Sequence, residues 1–122
     1  MKIGSRNGDA QPMTNAGKVV AWLLNLQARH HDRTYAYKAA LASIDRAIEL
    51  GGEDKVTRID LLLTKSTVLK HAGCHQAAAD ASEEARNLDL ADRYLNTKSV
   101  ARLLRANRID EAAKQILAFA DD

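Results

Sequence analysis

From about Lys18 onward, apolar and small residues return at spacings of three and four, and the pattern breaks at Tyr35, at Gly51 and Gly52, at Gly73 and at Asn107. Spacing of this kind predicts helices rather than strands. Six helices follow, at about Lys18 to His30, Tyr35 to Leu50, Thr57 to His71, Gln76 to Leu88, Arg93 to Ala106 and Asp110 to Ala120. Val19, Leu23 and Leu26 make the apolar face of the first, with Trp22 beside them. The second buries Ala40, Ile44, Ala47 and Ile48 and is stopped by the glycine pair. The third buries Leu62, Leu69 and Ser66 while exposing Lys65 and Lys70, and the fourth packs through Ala78, Ala81 and Ala85. Thr57 with Asp60, and Asp89 with Asp92, resemble capping boxes opening the third and fifth helices.

The phrase of helix, tight break and alanine-rich helix recurs three times. Ala40, Ala78 and Ala112 match one another, as do Ala47, Ala85 and Phe119, the first interval being four longer than the second. The stretch Gly51 to Val56 supplies the extra four. A helix-turn-helix unit recurring at roughly 34 residues is the period of tetratricopeptide repeats. The expected fold is all-α, about three helix pairs in a right-handed solenoid segment, with repeats at 17–52, 56–90 and 91–120 after a flexible leader at 1–16. The matched alanines are the close contacts inside each pair, and Tyr35, Gly73 and Asn107 occupy the turns, where glycine and asparagine tolerate the left-handed conformation. Tyr35 fits that role least well. Leu69 and Leu103 hold equivalent places on the first helices, and His31 takes that place in the first repeat. Ile116, Leu117 and Phe119 lack a covering helix in the sequence, so a segment of a longer array, or a partner on these residues, is expected.

A length of 122 residues suits one domain. Aromatic residues at 4% agree with helices over strands. The net charge of +2 is too small to argue for nucleic acid, and no direct sequence-specific binding of it is expected. Cys74, the single cysteine, cannot form an internal disulfide, and no signal peptide or long apolar run is visible, which points to a cytoplasmic address and no membrane partner. Charge is uneven along the chain. Asp80 to Asp92 holds five acids and one arginine, whereas Arg93 to Arg108 holds five basic residues and no acid. Lys98, Arg102 and Arg105 stand four and three apart and share one helix face, a candidate anion site on which Arg102 is expected to be exposed. His71, Cys74 and His75 are metal-ligand types at short spacing, but no second cluster completes four-coordination, so no metal is assigned. His30, His31 and Asp32 come without a nucleophile or phosphate loop and read as a helix end, where histidine complements the dipole. No enzyme constellation is present.

The phrases LLLTKSTVLKHAG, EEARNLDLADRYLNTKS and LLRANRIDEA, in that order, resemble the repeats of the auxiliary subunit of the NatA amino-terminal acetyltransferase. The ADRY-x-N-x-K segment is the most specific part. The likeness covers roughly residues 34–120 and departs in the first helix pair and at the Gly-Gly insertion. It implies a non-catalytic scaffold that binds a catalytic acetyltransferase subunit and supports co-translational acetylation from acetyl-CoA at the ribosome. It also implies inositol hexakisphosphate at a subunit interface, which would fall on Arg93, Lys98, Arg102 and Arg105, with Lys70 a further candidate; no other cofactor is implied. The rival reading is a free-standing repeat module that binds a peptide or helical partner. Modules that clamp a C-terminal carboxylate do so with Lys and Asn, and the corresponding places here hold Leu63, Thr67, Thr97 and Ala101.

Overall fold

The computed structural model describes residues 15–120, and all the regular structure among them is helical. The six helices are α1 (Asn15–Arg33), α2 (Tyr37–Gly51), α3 (Lys55–His71), α4 (His75–Leu88), α5 (Arg93–Arg105) and α6 (Ile109–Ala120). They pack as three pairs, α1 with α2, α3 with α4 and α5 with α6, and each pair leans on the next through α2 with α3 and α4 with α5. Residues 1–14 of the expected leader lie outside the described residues; Asn15 and Ala16 already belong to α1.

One turn, used three times, sets this arrangement. Tyr35, Gly73 and Asn107 have φ of 66°, 84° and 64°. At each, two amides close the preceding helix. Tyr35, Gly73 and Asn107 donate to Asp32, Lys70 and Leu104, and the next residues, Ala36, Cys74 and Arg108, donate to His31, Leu69 and Leu103, the latter three bonds all at 2.8 Å. These are the paired bonds that end a helix on a left-handed residue. Tyr35 therefore makes the same turn as Gly73 and Asn107, despite the steric cost its Cβ incurs there.

The turn brings the second helix back against the first, and the contact points are small. Ala40, Ala78 and Ala112 are 0%, 0% and 1% exposed. Leu61 then fills the space between α1 and α2, among Ala21, Ala28, Ile44 and Ala47. Leu95 does the same one repeat later, packed with Leu62 and Ala85 between α3 and α4. Leu61 stands in the same relation to Gly73 as Leu95 does to Asn107. Burial of a side chain of this size stabilises by about 1.5–3 kcal/mol.

The helix starts differ from the capping boxes expected. Asp54 caps α3, its carboxylate accepting from the Thr57 amide at 3.0 Å and the Thr57 hydroxyl at 2.7 Å, so Thr57 is the partner of the cap and Asp60 takes no part. These two bonds hold the Asp54 carboxyl below the usual range. Asp92, not Asp89, caps α5 through the Leu95 amide. Gly51 remains inside α2, and Gly52 ends it; a Cβ on Gly52 would lie 2.3 Å from the Ile48 carbonyl oxygen, so the chain passes too close for a side chain.

The first helix shows the largest departure. Ala21, Asn25 and Ala28 are buried on the α2 side, while Val19, Trp22, Leu23 and Leu26 are all exposed. The small residues win the contact because a close pair has no room for the bulky ones. Lys65 and Lys70 are half-buried rather than exposed, Lys65 being paired with Asp45 at 2.8 Å.

Ala78→Leu is expected to overpack the α3–α4 contact and cost about 1–3 kcal/mol in denaturant melts; an unchanged midpoint would refute the pairing. At the turns, Gly73→Ala meets no atom within 4 Å, so its expected cost of about 1–2 kcal/mol is purely conformational. Tyr35→Gly should move stability the opposite way, by up to about 1 kcal/mol once the unfolded-chain entropy of glycine is offset.

Candidate functional site

The first helices of the three pairs line a groove of about 560 Å³. Arg29, Asp32 and Arg33 of α1 form one wall, Asp60 and Thr64 of α3 the floor, and Tyr94 of α5 the far edge. Beside it the helical spacing of α5 gathers Lys98, Arg102 and Arg105 on one side, as the sequence predicts, and α3 adds Lys70. Their charges act on one another: burial and then Arg102, Lys98 and Arg105 push the Lys70 ammonium below its ordinary pKa, against a smaller opposing pull from Asp32. Among the described residues, none of the four cations has a carboxylate partner within ion-pair distance. The Lys98 ammonium instead sits 5.6 Å from the Tyr94 ring centroid, a favourable placement for a cation.

Arg102 departs from its expected place. Expected on the surface, it is 7% exposed. Its Nε donates to the Ser66 hydroxyl at 3.0 Å and Nη2 reaches the Thr67 hydroxyl at 3.5 Å. Ser66 in turn donates to the Ala78 carbonyl at 2.8 Å, so one buried hydroxyl joins α5, α3 and α4. Burial pushes the Arg102 guanidinium below its ordinary pKa, with Arg105 adding to the effect. Arginine stays charged even so. A small cavity of about 40 Å³ adjoins it, lined in part by Ser66, Ser82, Tyr94 and Lys98, and the buried Ser82 hydroxyl has no protein partner.

Arg93 does not join this cluster. It lies on the other side of α5, its guanidinium 5.4 Å from the Phe119 ring centroid, in the groove between α5 and α6. Arg108, the fifth cation of the basic stretch, is held by Asp80 and Glu111, both at 2.7 Å, and these bonds raise its pKa. His71 pairs through Nδ1 with Asp32 at 2.9 Å, joining the ends of α3 and α1. Cys74 is exposed at the cap position of α4. No group of three metal-ligand side chains assembles among the described residues.

Ser66, Thr67 and Ser82 are site residues that the sequence reading did not assign. The repeat register carried a signal for them. Arg102 is the counterpart of Val68 one repeat earlier, and Val68 is buried, so the column is a closed one and a cation there needs hydroxyl partners.

Lys70→Met is expected to raise the melting temperature at neutral pH by removing a charge that its surroundings disfavour. In the native protein the repulsion acts in full while Lys70 is protonated. It fades as pH rises through the lowered folded pKa toward the unfolded value of 10.5, because the folded state gives up its proton first. The advantage of the variant should shrink over that range in melts recorded as a function of pH.

Residues 2–122 match the family described as N-terminal acetyltransferase A, auxiliary subunit. Over 101 residues the chain is 43% identical to the N-terminal acetyltransferase A complex auxiliary subunit NAA15 of Arabidopsis thaliana, covering 83% of this chain and 11% of that protein. It is 35% identical over 113 residues to the human N-alpha-acetyltransferase 16, NatA auxiliary subunit, and 34% to the mouse protein of that name; each alignment covers 93% of this chain and 12% of the relative. The chain thus spans about a ninth of the length of these relatives. A match across nearly the whole sequence, on a fold of paired helices, makes this chain a member of the N-terminal acetyltransferase A auxiliary-subunit family.

Proposed function

We propose that this chain is a non-catalytic scaffold segment that binds a catalytic acetyltransferase subunit and supports acetylation of nascent amino termini at the ribosome, in the cytoplasm. The observation that carries the reading is the cluster of Lys70, Lys98, Arg102 and Arg105, four mutually repelling cations at the edge of the α1–α3–α5 groove with no carboxylate paired to them among the described residues. Such a cluster is relieved by an anion, either the acidic surface of a partner or a polyphosphate. Inositol hexakisphosphate at the interface of the two subunits fits that chemistry. Lys98 and Arg105 would present charge from the surface, Lys70 from α3, and Arg102 would contribute a fixed positive potential from beneath them. Arg93 would act apart from this anion, on the α6 side. The relatives are named auxiliary subunits, which favours a role carried out through a partner's active site.

The rival peptide-clamp reading draws little from the groove. Leu63 and Thr67 line it without a cation or amide at those positions, and the cations of its wall, Arg29 and Arg33, stand on α1 beside Asp32 rather than at the clamp positions.

Co-expression with the catalytic acetyltransferase subunit of the same organism should yield a complex that elutes together, and the chain alone should not turn over acetyl-CoA with a panel of peptide amino termini. Turnover by the purified chain would overturn the scaffold role. Calorimetric titration of the complex with inositol hexakisphosphate should give binding that weakens steeply with salt and falls several-fold in Lys98→Glu and Arg105→Glu. These variants are preferred to changes at Arg102, whose removal would disturb the Ser66 bonds. Equal affinity in wild type and both variants would refute the anion site.

A further inference from the structure

The junction between the second and third pairs departs from the one before it at two places that share a cavity. One repeat earlier, the counterparts of Arg102 and Ser82 are Val68 and Ile44, both buried and both apolar. Passing from the first junction to the second therefore exchanges two aliphatic side chains for a guanidinium and a hydroxyl, and serine is much smaller than isoleucine. The cavity of about 40 Å³ lies at this exchange. Its lining comes from α3, α4 and α5, so two consecutive pairs of this chain build it.

Hydrogen-bond donors in the lining outnumber the acceptors available to them. The Ser66 hydroxyl donates to the Ala78 carbonyl at 2.8 Å and the Thr67 hydroxyl to the Leu63 carbonyl at 3.0 Å, so both offer Arg102 only lone pairs. Arg102 spends Nε on Ser66 and one Nη2 hydrogen on Thr67, and the other guanidinium hydrogens remain unspent. The Ser82 hydroxyl is buried and has no protein partner. Lys98 also lines the cavity, its ammonium set against the Tyr94 ring. Among the described residues no acid lines the cavity, and Glu83, the neighbour of Ser82, is taken by Arg86 at 3.3 Å and Ser99 at 3.0 Å.

A buried polar atom without a protein partner calls for a water molecule or an ion. The positive charges of Arg102 and Lys98 turn away a cation. A water molecule accepts from two of the spare donors but leaves the buried guanidinium without a counter-charge, an expensive condition. A monatomic anion meets the donors and the charge together. The cavity exceeds the roughly 10–15 Å³ that admits a water molecule, yet at about 40 Å³ it has no room for an inositol ring.

We propose that this cavity binds a single halide ion, chloride, held by the Ser82 hydroxyl and the Arg102 guanidinium, with the Lys98 ammonium as a third partner. The site goes beyond the interface reading and does not need it, because its walls belong to this chain and no catalytic subunit takes part. A bound halide offsets part of the Arg102 potential, so it weakens a polyphosphate on the surface cluster beyond the effect of ionic strength alone.

Melts of the full chain at constant ionic strength, with sodium chloride or bromide exchanged stepwise for sodium gluconate, test this. The melting temperature of the wild type should rise with halide and saturate, by about 2–6 °C. Ser82→Ala keeps the room and removes the hydroxyl, and its apparent halide affinity should fall several-fold. In gluconate alone this variant should melt no lower than the wild type, because the hydroxyl it removes has no protein partner. Ser82→Val puts back an aliphatic side chain like that of Ile44, fills the cavity and should abolish the rise. Crystals grown in sodium bromide should show an anomalous peak in the cavity, in contact with Ser82 Oγ and the Arg102 guanidinium. A wild type that responds to chloride and gluconate alike overturns the proposal. So does a halide response retained in full by the Ser82 variants, or a bromide signal confined to the outer surface with water alone in the cavity.

Discussion

Two helices joined by a tight turn can lie close only where the returning helix carries no bulk, and here that condition is met at Ala40, Ala78 and Ala112, all of them buried. Each alanine stands at the same place after a left-handed residue, so turn and contact are locked together in register. Everything else follows from that spacing. One helical turn before the left-handed residue, His31, Leu69 or Leu103 closes the first helix by accepting the long bond across the turn. Further back on the same helix, Leu61 or Leu95 falls opposite the groove of the preceding pair. The four extra residues in the first period leave this untouched because they lie beyond the second helix, around Gly52 and Asp54, where the chain enters α3.

Within that frame the second junction is more polar than the first. Val68 and Arg102 occupy the same column, and replacing an aliphatic side chain by a guanidinium in a nearly closed site is costly unless its donors are met. Ser66 and Thr67 meet some of them, and Ser66 passes the connection on to the Ala78 carbonyl. Hydroxyls bring hydrogen bonds but no negative charge, so Arg102 keeps its full positive field. Lys70 feels that field as a lowered pKa, first from burial and then from Arg102. The strut that fixes α5 against α3 is thus the same group that helps make this edge attractive to an anion, and the structural and binding roles of Arg102 do not compete.

How far the sequence alone reaches can be judged at particular residues. The alanine contacts, the three turn residues and the shared face of Lys98, Arg102 and Arg105 are legible because helical spacing and glycine or asparagine turns leave direct marks. Tyr35 is harder, since a tyrosine at φ 66° gives no compositional hint and only the register reveals it. Arg93 and Arg102 are close in sequence, yet the helical rotation between them is half a turn out of phase and points Arg93 to the side facing Phe119. The depth of Arg102 is hidden because charge patterning assigns basic residues to the surface, whereas burial is decided by the column of the repeat.

The exposed face of α1 obeys the same logic one step further. A stripe of Val19, Leu23 and Leu26 says that a helix has an apolar side; it does not say which neighbour covers it. In a repeat, each first helix has two such sides, one for its own partner and one for the pair before it. Ala21 and Ala28 serve the first purpose because they are small, and Leu23 belongs to the second because it is large and aligned with Leu61 and Leu95. Leu24 packs against the core that α1 shares with α2, whereas Val19, Leu23 and Leu26 lie off that contact, and their exposure follows from the same packing rule that buries the alanines beside them.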